Sequence, residues 1–138
     1  MYGELAIYVV KTVREGVAKI YSLAFGIALS VHIAMFYTTE LLPIYVAIAA
    51  LFTVSAILSD RAIVSSLYRS LHLCGARKKA KVSVLLTYLA MYTLLSSTIP
   101  TATCLSLGYS TLAIEITGIC AVASGATLYG LWVSSRRG

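Results

Sequence analysis

Apolar positions fall along this chain in four long runs separated by polar or amphipathic segments. Ile20 to Tyr37 carries no charge, and His32 is its only strongly polar side chain. Leu41 to Leu58 follows a break at Thr38, Thr39 and Glu40, with Pro43 near the new helix start. Val82 to Ile99 is the third run and Pro100 is expected to close it; the fourth is expected over residues 109–133. Each run approaches the roughly 20 residues that cross a bilayer as a helix. The remaining segments are amphipathic. In residues 1–19, Glu4, Lys11, Arg14, Glu15 and Lys19 share one arc of a helix, and Leu5, Ala6, Val9, Val13 and Val17 share the other. This helix is expected to flow directly into the first apolar one. In residues 59–81, Arg61, Ser65, Arg69 and His72 line one face and Ile63, Leu67, Leu71 and Cys74 another, before Gly75 as a helix C-cap and a basic turn. The pattern predicts an all-α fold: a polytopic membrane helical bundle with four long apolar helices (20–37, 41–58, 82–99, 109–133) in two hairpins, forming one domain over residues 1–138.

Composition narrows the class. Charged residues make up 12% of the 138 positions, against about 25% in ordinary soluble domains. If the four runs span, all eleven Lys and Arg lie on one side with Glu4, Glu15 and Asp60, leaving that side at +8. The positive-inside rule then makes the topology N-in and C-in. Tyr37, Tyr45 and Tyr109 are expected at the outer interface, and Tyr21, Tyr129 and Trp132 at the inner one. Charges interrupt Met1 to Lys19, so no cleavable signal peptide is expected. Cys74, Cys104 and Cys120 are an odd number without a CxxC pair, which suggests neither a disulfide framework nor a zinc site.

Few residues are candidates for chemistry. Glu115 lies within the fourth run, where a carboxylate at mid-depth costs about 2.5 to 3.5 kcal/mol. It therefore sits near the outer interface, is paired, or is protonated, and its role is either structural or that of an ion or proton site. His32 is expected at similar depth, and a His32 to Glu115 hydrogen bond is the specific expectation. The alternative is a neutral histidine bonded to a Ser or a carbonyl. Arg77, Lys78, Lys79 and Lys81 form the one dense charge cluster, which reads as a topology determinant on anionic headgroups or, in several assembled copies, as a ring binding nucleic-acid phosphate. Ser22, Gly26 and Ser30 share one helix face, as do Gly118, Ala121 and Gly125, and such small-residue faces let helices approach closely in lipid. No catalytic motif, phosphate-cradling glycine loop or metal-ligand spacing is present, so no enzyme activity and no cofactor beyond bound lipid is expected.

The stretch Leu41 to Ile99, two apolar helices joined by the basic turn Arg77, Lys78, Lys79 and Lys81, resembles the conjugative mating-pilin family, including its archaeal relatives used in DNA exchange. The chain looks like such a core extended at both ends. The resemblance implies a non-enzymatic subunit stored in the cell membrane and extracted into an extracellular filament, a helical tube with lipid between subunits and the basic turn lining a lumen for nucleic acid. Two other readings stand beside self-association into such an oligomer. One is an accessory subunit among other membrane subunits of a larger complex. The other is a small four-helix transporter coupled to protons through Glu115.

Overall fold

A computed structural model describes residues 2–137, and all its regular structure is helical. The outermost residues of the expected domain, 1 and 138, lie outside the described part. Six α-helices follow one another: α1 (Tyr2–Glu15), α2 (Ala18–Phe36), α3 (Leu42–Ser59), α4 (Arg61–Leu73), α5 (Lys78–Ser106) and α6 (Ser110–Arg137). A single 3-10 turn, Thr39–Leu41, leads into α3, which has Pro43 in its first turn, where a missing N–H leaves nothing unpaired. Four segments are long and apolar enough to cross a membrane: Ala18–Phe36, Thr39–Ser59, Lys78–Ser106 and Ser110–Arg137. This makes the chain compatible with an integral membrane protein.

The long helices neighbour one another in the cyclic order α2, α5, α6, α3. Of these, α5 packs most extensively on α6, and α2 packs more extensively on α5 than on α3. The short amphipathic helices cover one end, α1 against α5 and α4 against α6. Val9 and Val13 of α1 and Val64 and Tyr68 of α4 are buried there with Ala56, Ile57, Val84, Tyr88, Tyr92 and Leu128. A second apolar cluster, Leu29, Ile33, Tyr45, Ala49, Cys104, Leu112, Ala113, Ile116 and Cys120, closes the far end. Between the clusters each long helix turns small or hydroxylic residues inward, Ser22 and Gly26, Thr53, Ser97, and Ser124, with Pro100 beside them. Small side chains here allow close helix approach where apolar burial drives association little, because lipid tails are equally apolar.

Three local outcomes differ from the pattern-based expectation. The amphipathic helix does not flow into the first span, because the chain breaks at Gly16 and Val17. Pro100 does not close the third run: it is buried inside α5, which continues to Ser106. Inside a bundle neighbouring helices and hydroxyls tolerate the carbonyl that a proline leaves free. Here Gly26 of α2 gives the proline room, since a Cβ on Gly26 would lie 3.3 Å from Ile99 Cβ and 3.6 Å from Pro100 Cδ. The loop expected from Pro100 to Ser110 consequently shrinks to residues 107–109. Finally, α4 buries Val64 and Tyr68, while Ile63 and Cys74, expected on the apolar face, are exposed.

Both ends of α5 are defined by glycine turns. Gly75 ends α4 at φ +64°, with Ala76 N–H donating to Leu71 O at 3.0 Å and Gly75 N–H to His72 O at 3.2 Å. Gly108 ends α5 at φ +82°, with Tyr109 N–H donating to Cys104 O at 2.8 Å and Gly108 N–H to Leu105 O at 3.2 Å. These are paired Schellman closures, which favour glycine because the left-handed backbone penalises a Cβ.

Candidate functional site

Among the described residues Asp60 is the buried charged side chain, 3% exposed, in the turn between α3 and α4. Its Oδ1 accepts the N–H of Val17 at 2.9 Å and of Ala18 at 3.4 Å, and its Oδ2 accepts the Tyr92 hydroxyl at 3.1 Å. None of these partners is a cation. The positive end of α2 supplies the compensating field, as for a helix N-cap, but from a residue distant in sequence. Gly16 makes the approach possible, because a Cβ there would lie 2.8 Å from Asp60 Cγ and 2.9 Å from Oδ1.

Three tyrosines extend this centre. Tyr92 stacks on Tyr88 with ring centroids 6.0 Å apart, and Tyr88 meets Tyr68 edge-on at 5.8 Å. The hydroxyls of Tyr68 and Tyr88 are buried without a hydrogen-bond partner. Burial first, and the neighbouring Tyr88 second, hold the Tyr68 phenol above its ordinary range, so it is protonated at neutral pH. The sequence pattern places Asp60 among the charges of the basic side and gives little sign of its burial. The signal available was weak: an acid directly after an apolar run, and a glycine at the end of an amphipathic helix.

The four residues of the basic cluster have different surroundings. Arg77 lines a cleft of about 680 Å³ with Glu4, Leu5, Tyr8, Cys74 and Ala80, between α1 and the start of α5. Lys81 Nζ lies 3.2 Å from His72 Nδ1. Lys78 and Lys79 instead stand at the head of a shallow trough of about 870 Å³ along α5.

At the far end, His32 is on the surface of α2 and pairs through Nδ1 with the buried Tyr45 hydroxyl at 2.6 Å. The expected partner Glu115 is exposed on α6, so the His32 to Glu115 bond gives way within the chain to a nearer phenol between adjacent helices α2 and α3. Tyr37 joins this end, 5.8 Å from Tyr45 and 4.5 Å from Tyr109 between ring centroids, which gathers the three tyrosines expected at one interface. At the other end Arg136 lies 4.7 Å over the Trp132 ring.

The two small-residue faces have different fates. Ser22, Gly26 and Ser30 are buried, with Gly26 against α5. Gly118 is exposed with nothing within 4 Å of its Cβ position, Gly125 meets only Leu89 Cδ1 at 3.6 Å, and Ala121 is half-buried. The second face therefore seats no helix at Gly118 within this chain. Among the described residues no group of three or more His, Cys, Asp or Glu side chains could hold a metal ion.

These features define an all-helical chain with four helices suited to a membrane, a basic end locked by a buried carboxylate and an aromatic end. Comparison with family models, with curated proteins and with solved structures finds no match to this chain.

Proposed function

We propose that this protein is a non-enzymatic integral membrane subunit that assembles with copies of itself through the outward face of α6, with its basic end in the cytoplasm. The observation that carries the reading is the pairing of Glu115 with Gly118. Both are exposed one turn apart on a helix long enough to span, flanked by Ile114 and Val122 at 73% and 67% exposure. A carboxyl group facing lipid is unfavourable, and a second helix seated at the open glycine removes it from lipid and gives it partners. The finer form of this reading is a conjugative-pilin-like tube for DNA transfer, supported by the resemblance of Leu41 to Ile99 and its basic turn.

The test is the mass of the particle in mild detergent and in nanodiscs. A defined oligomer is expected, reduced to smaller species by Gly118→Leu and weakened by Glu115→Gln. A monomer at every protein concentration overturns the reading. Electron microscopy of sheared surface material tests the tube, which is rejected if filaments lack this chain. Glu115→Gln in proteoliposomes separates the transporter alternative, which requires loss of proton-coupled transport.

A further inference from the structure

We propose that the trough on α5 headed by Lys78 and Lys79 is a binding site for one anionic phospholipid of the leaflet at the basic end. The inference rests on the membrane placement of the helices and not on self-association. The trough is lined by Lys78, Lys79, Val82, Ser83, Leu86, Thr87 and Ala90, and these fall on one face of α5. The adjacent stripe, Ala80, Val84, Tyr88 and Tyr92, is the one buried in the bundle, so the trough faces outward. Val82 and Leu86 are 36% and 56% exposed, and the Thr87 hydroxyl is already satisfied by donating to Ser83 O at 2.8 Å. Below the lysines the surface therefore asks for an apolar occupant.

Dimensions and charge specify which one. From Lys79 to Ala90 the helix rises about 16 Å, close to the roughly 15 Å of hydrocarbon in one leaflet. At the head of the trough two ammonium groups meet the N-terminal turn of α5, where the N–H groups of Lys78 and Lys79 have no intrahelical acceptor and Arg77 provides no side-chain cap. Donors and positive charge at one end, and a leaflet-deep apolar track beneath, match a phosphodiester headgroup with its acyl chain. Nucleic acid fits less well, because no aromatic side chain offers a stacking platform and the track is apolar. Arg77 and Lys81 belong to other surroundings, the first lining the cleft that Glu4 also lines and the second beside His72. The site thus divides a four-residue basic cluster into two binding lysines and two that are not.

The experiment uses the full chain in nanodiscs of phosphatidylcholine containing a minor fraction of phosphatidylglycerol, with co-purifying lipid counted by native mass spectrometry after detergent release. Enrichment of phosphatidylglycerol over its share of the disc is expected. Each basic residue near an anionic headgroup contributes about fivefold, so Lys78→Gln/Lys79→Gln is expected to lower the enrichment about thirtyfold. Arg77→Gln/Lys81→Gln is expected to leave it within about twofold. Ala90→Phe, an exposed position that blocks the track, is expected to lower retention of the lipid while the lysines remain. Glycerophosphoglycerol without acyl chains, inorganic phosphate and a short oligonucleotide are expected not to compete. Equal loss in the two double variants, no enrichment in the native chain, or competition by phosphate or oligonucleotide overturns the proposal. Far-ultraviolet circular dichroism of each variant in the same discs separates lost binding from lost insertion.

Discussion

The Tyr92 hydroxyl donates to Asp60 Oδ2 at 3.1 Å, joining the turn after α3 to the interior of α5, while the other oxygen of the same carboxylate holds the start of α2. One side chain thus ties together three of the long helices at the basic end. Removing it leaves two backbone N–H groups and a phenol without their acceptor, and such losses each cost about 1 to 3 kcal/mol when buried. Asp60→Ala is expected to destabilise the protein by about 3 kcal/mol or more, and Asp60→Asn by less because one amide oxygen still accepts. The check is thermal unfolding in detergent, followed by a thiol-reactive dye on the buried Cys104 and Cys120 with the exposed Cys74 as baseline. An unchanged midpoint for Asp60→Ala contradicts the tie.

Gly16→Ala should mimic part of that loss from the other side. The new methyl group has no room beside the Asp60 carboxylate, and a forced shift of this kind typically costs about 1 to 3 kcal/mol. In an Asp60→Ala background the same change is expected to be close to neutral, because the clash disappears with the carboxylate. Additive effects of the two substitutions in the same unfolding assay count against the geometry.

Gly26 and Gly118 should respond oppositely to a large side chain. Gly26→Leu drives atoms into Ile99 and Pro100 of the neighbouring helix and is expected to lose about 2 kcal/mol or more of stability. At Gly118 a Cβ has nothing within 4 Å, and Gly118→Leu is expected to leave monomer stability within about 0.5 kcal/mol. Comparing thermal midpoints of the two variants in a dissociating detergent decides the matter.

Much of this arrangement was legible in the chain. The four apolar runs and two amphipathic segments follow from periodicity, Gly75 from its place after the last apolar turn, and the Tyr37, Tyr45 and Tyr109 group from spacing relative to the runs. What escaped depended on distant partners. Pro100 reads as a stop until Gly26 of another helix is placed beside it. His32 and Glu115 are expected at similar depth, but Tyr45 stands on the adjoining helix, and depth alone does not say which neighbour wins. Asp60 looks like one more surface acid, because its partners Val17 and Tyr92 are remote in sequence. The four basic residues look equivalent until helix geometry turns them toward different surroundings.

Tyr68 provides a test in alkaline solution. Its phenol is held above the ordinary value near 10 by burial and by Tyr88, so the fold favours the protonated form. The stability this contributes is complete below the unfolded value near 10 and falls as pH rises towards the higher folded value. Tyr68→Phe, which also removes an unpartnered hydroxyl, is expected to be close to neutral at pH 7 and to lessen unfolding above pH 10. Tyrosinate absorbance recorded with circular dichroism across that range checks both; equal alkaline sensitivity of the two proteins argues against the assignment.

Cys74 reports orientation. Its thiol is exposed on the basic end, whereas Cys104 and Cys120 are buried. With that end in the cytoplasm, a membrane-impermeant maleimide is expected to label inside-out vesicles at Cys74 and to leave intact cells unlabelled. Labelling of intact cells reverses the topology.

The Asp60 contact also sets an order of events during synthesis. The amide of Val17 finds its acceptor 43 residues further along the chain. A ribosome has therefore made all of α2 and α3 before the joint at Gly16 can be fixed. The seat of α1 on α5 comes later still, since it exists only once residues beyond 78 have been made. The finished basic end thus joins parts made early, midway and late in the chain, from Val9 to Leu128.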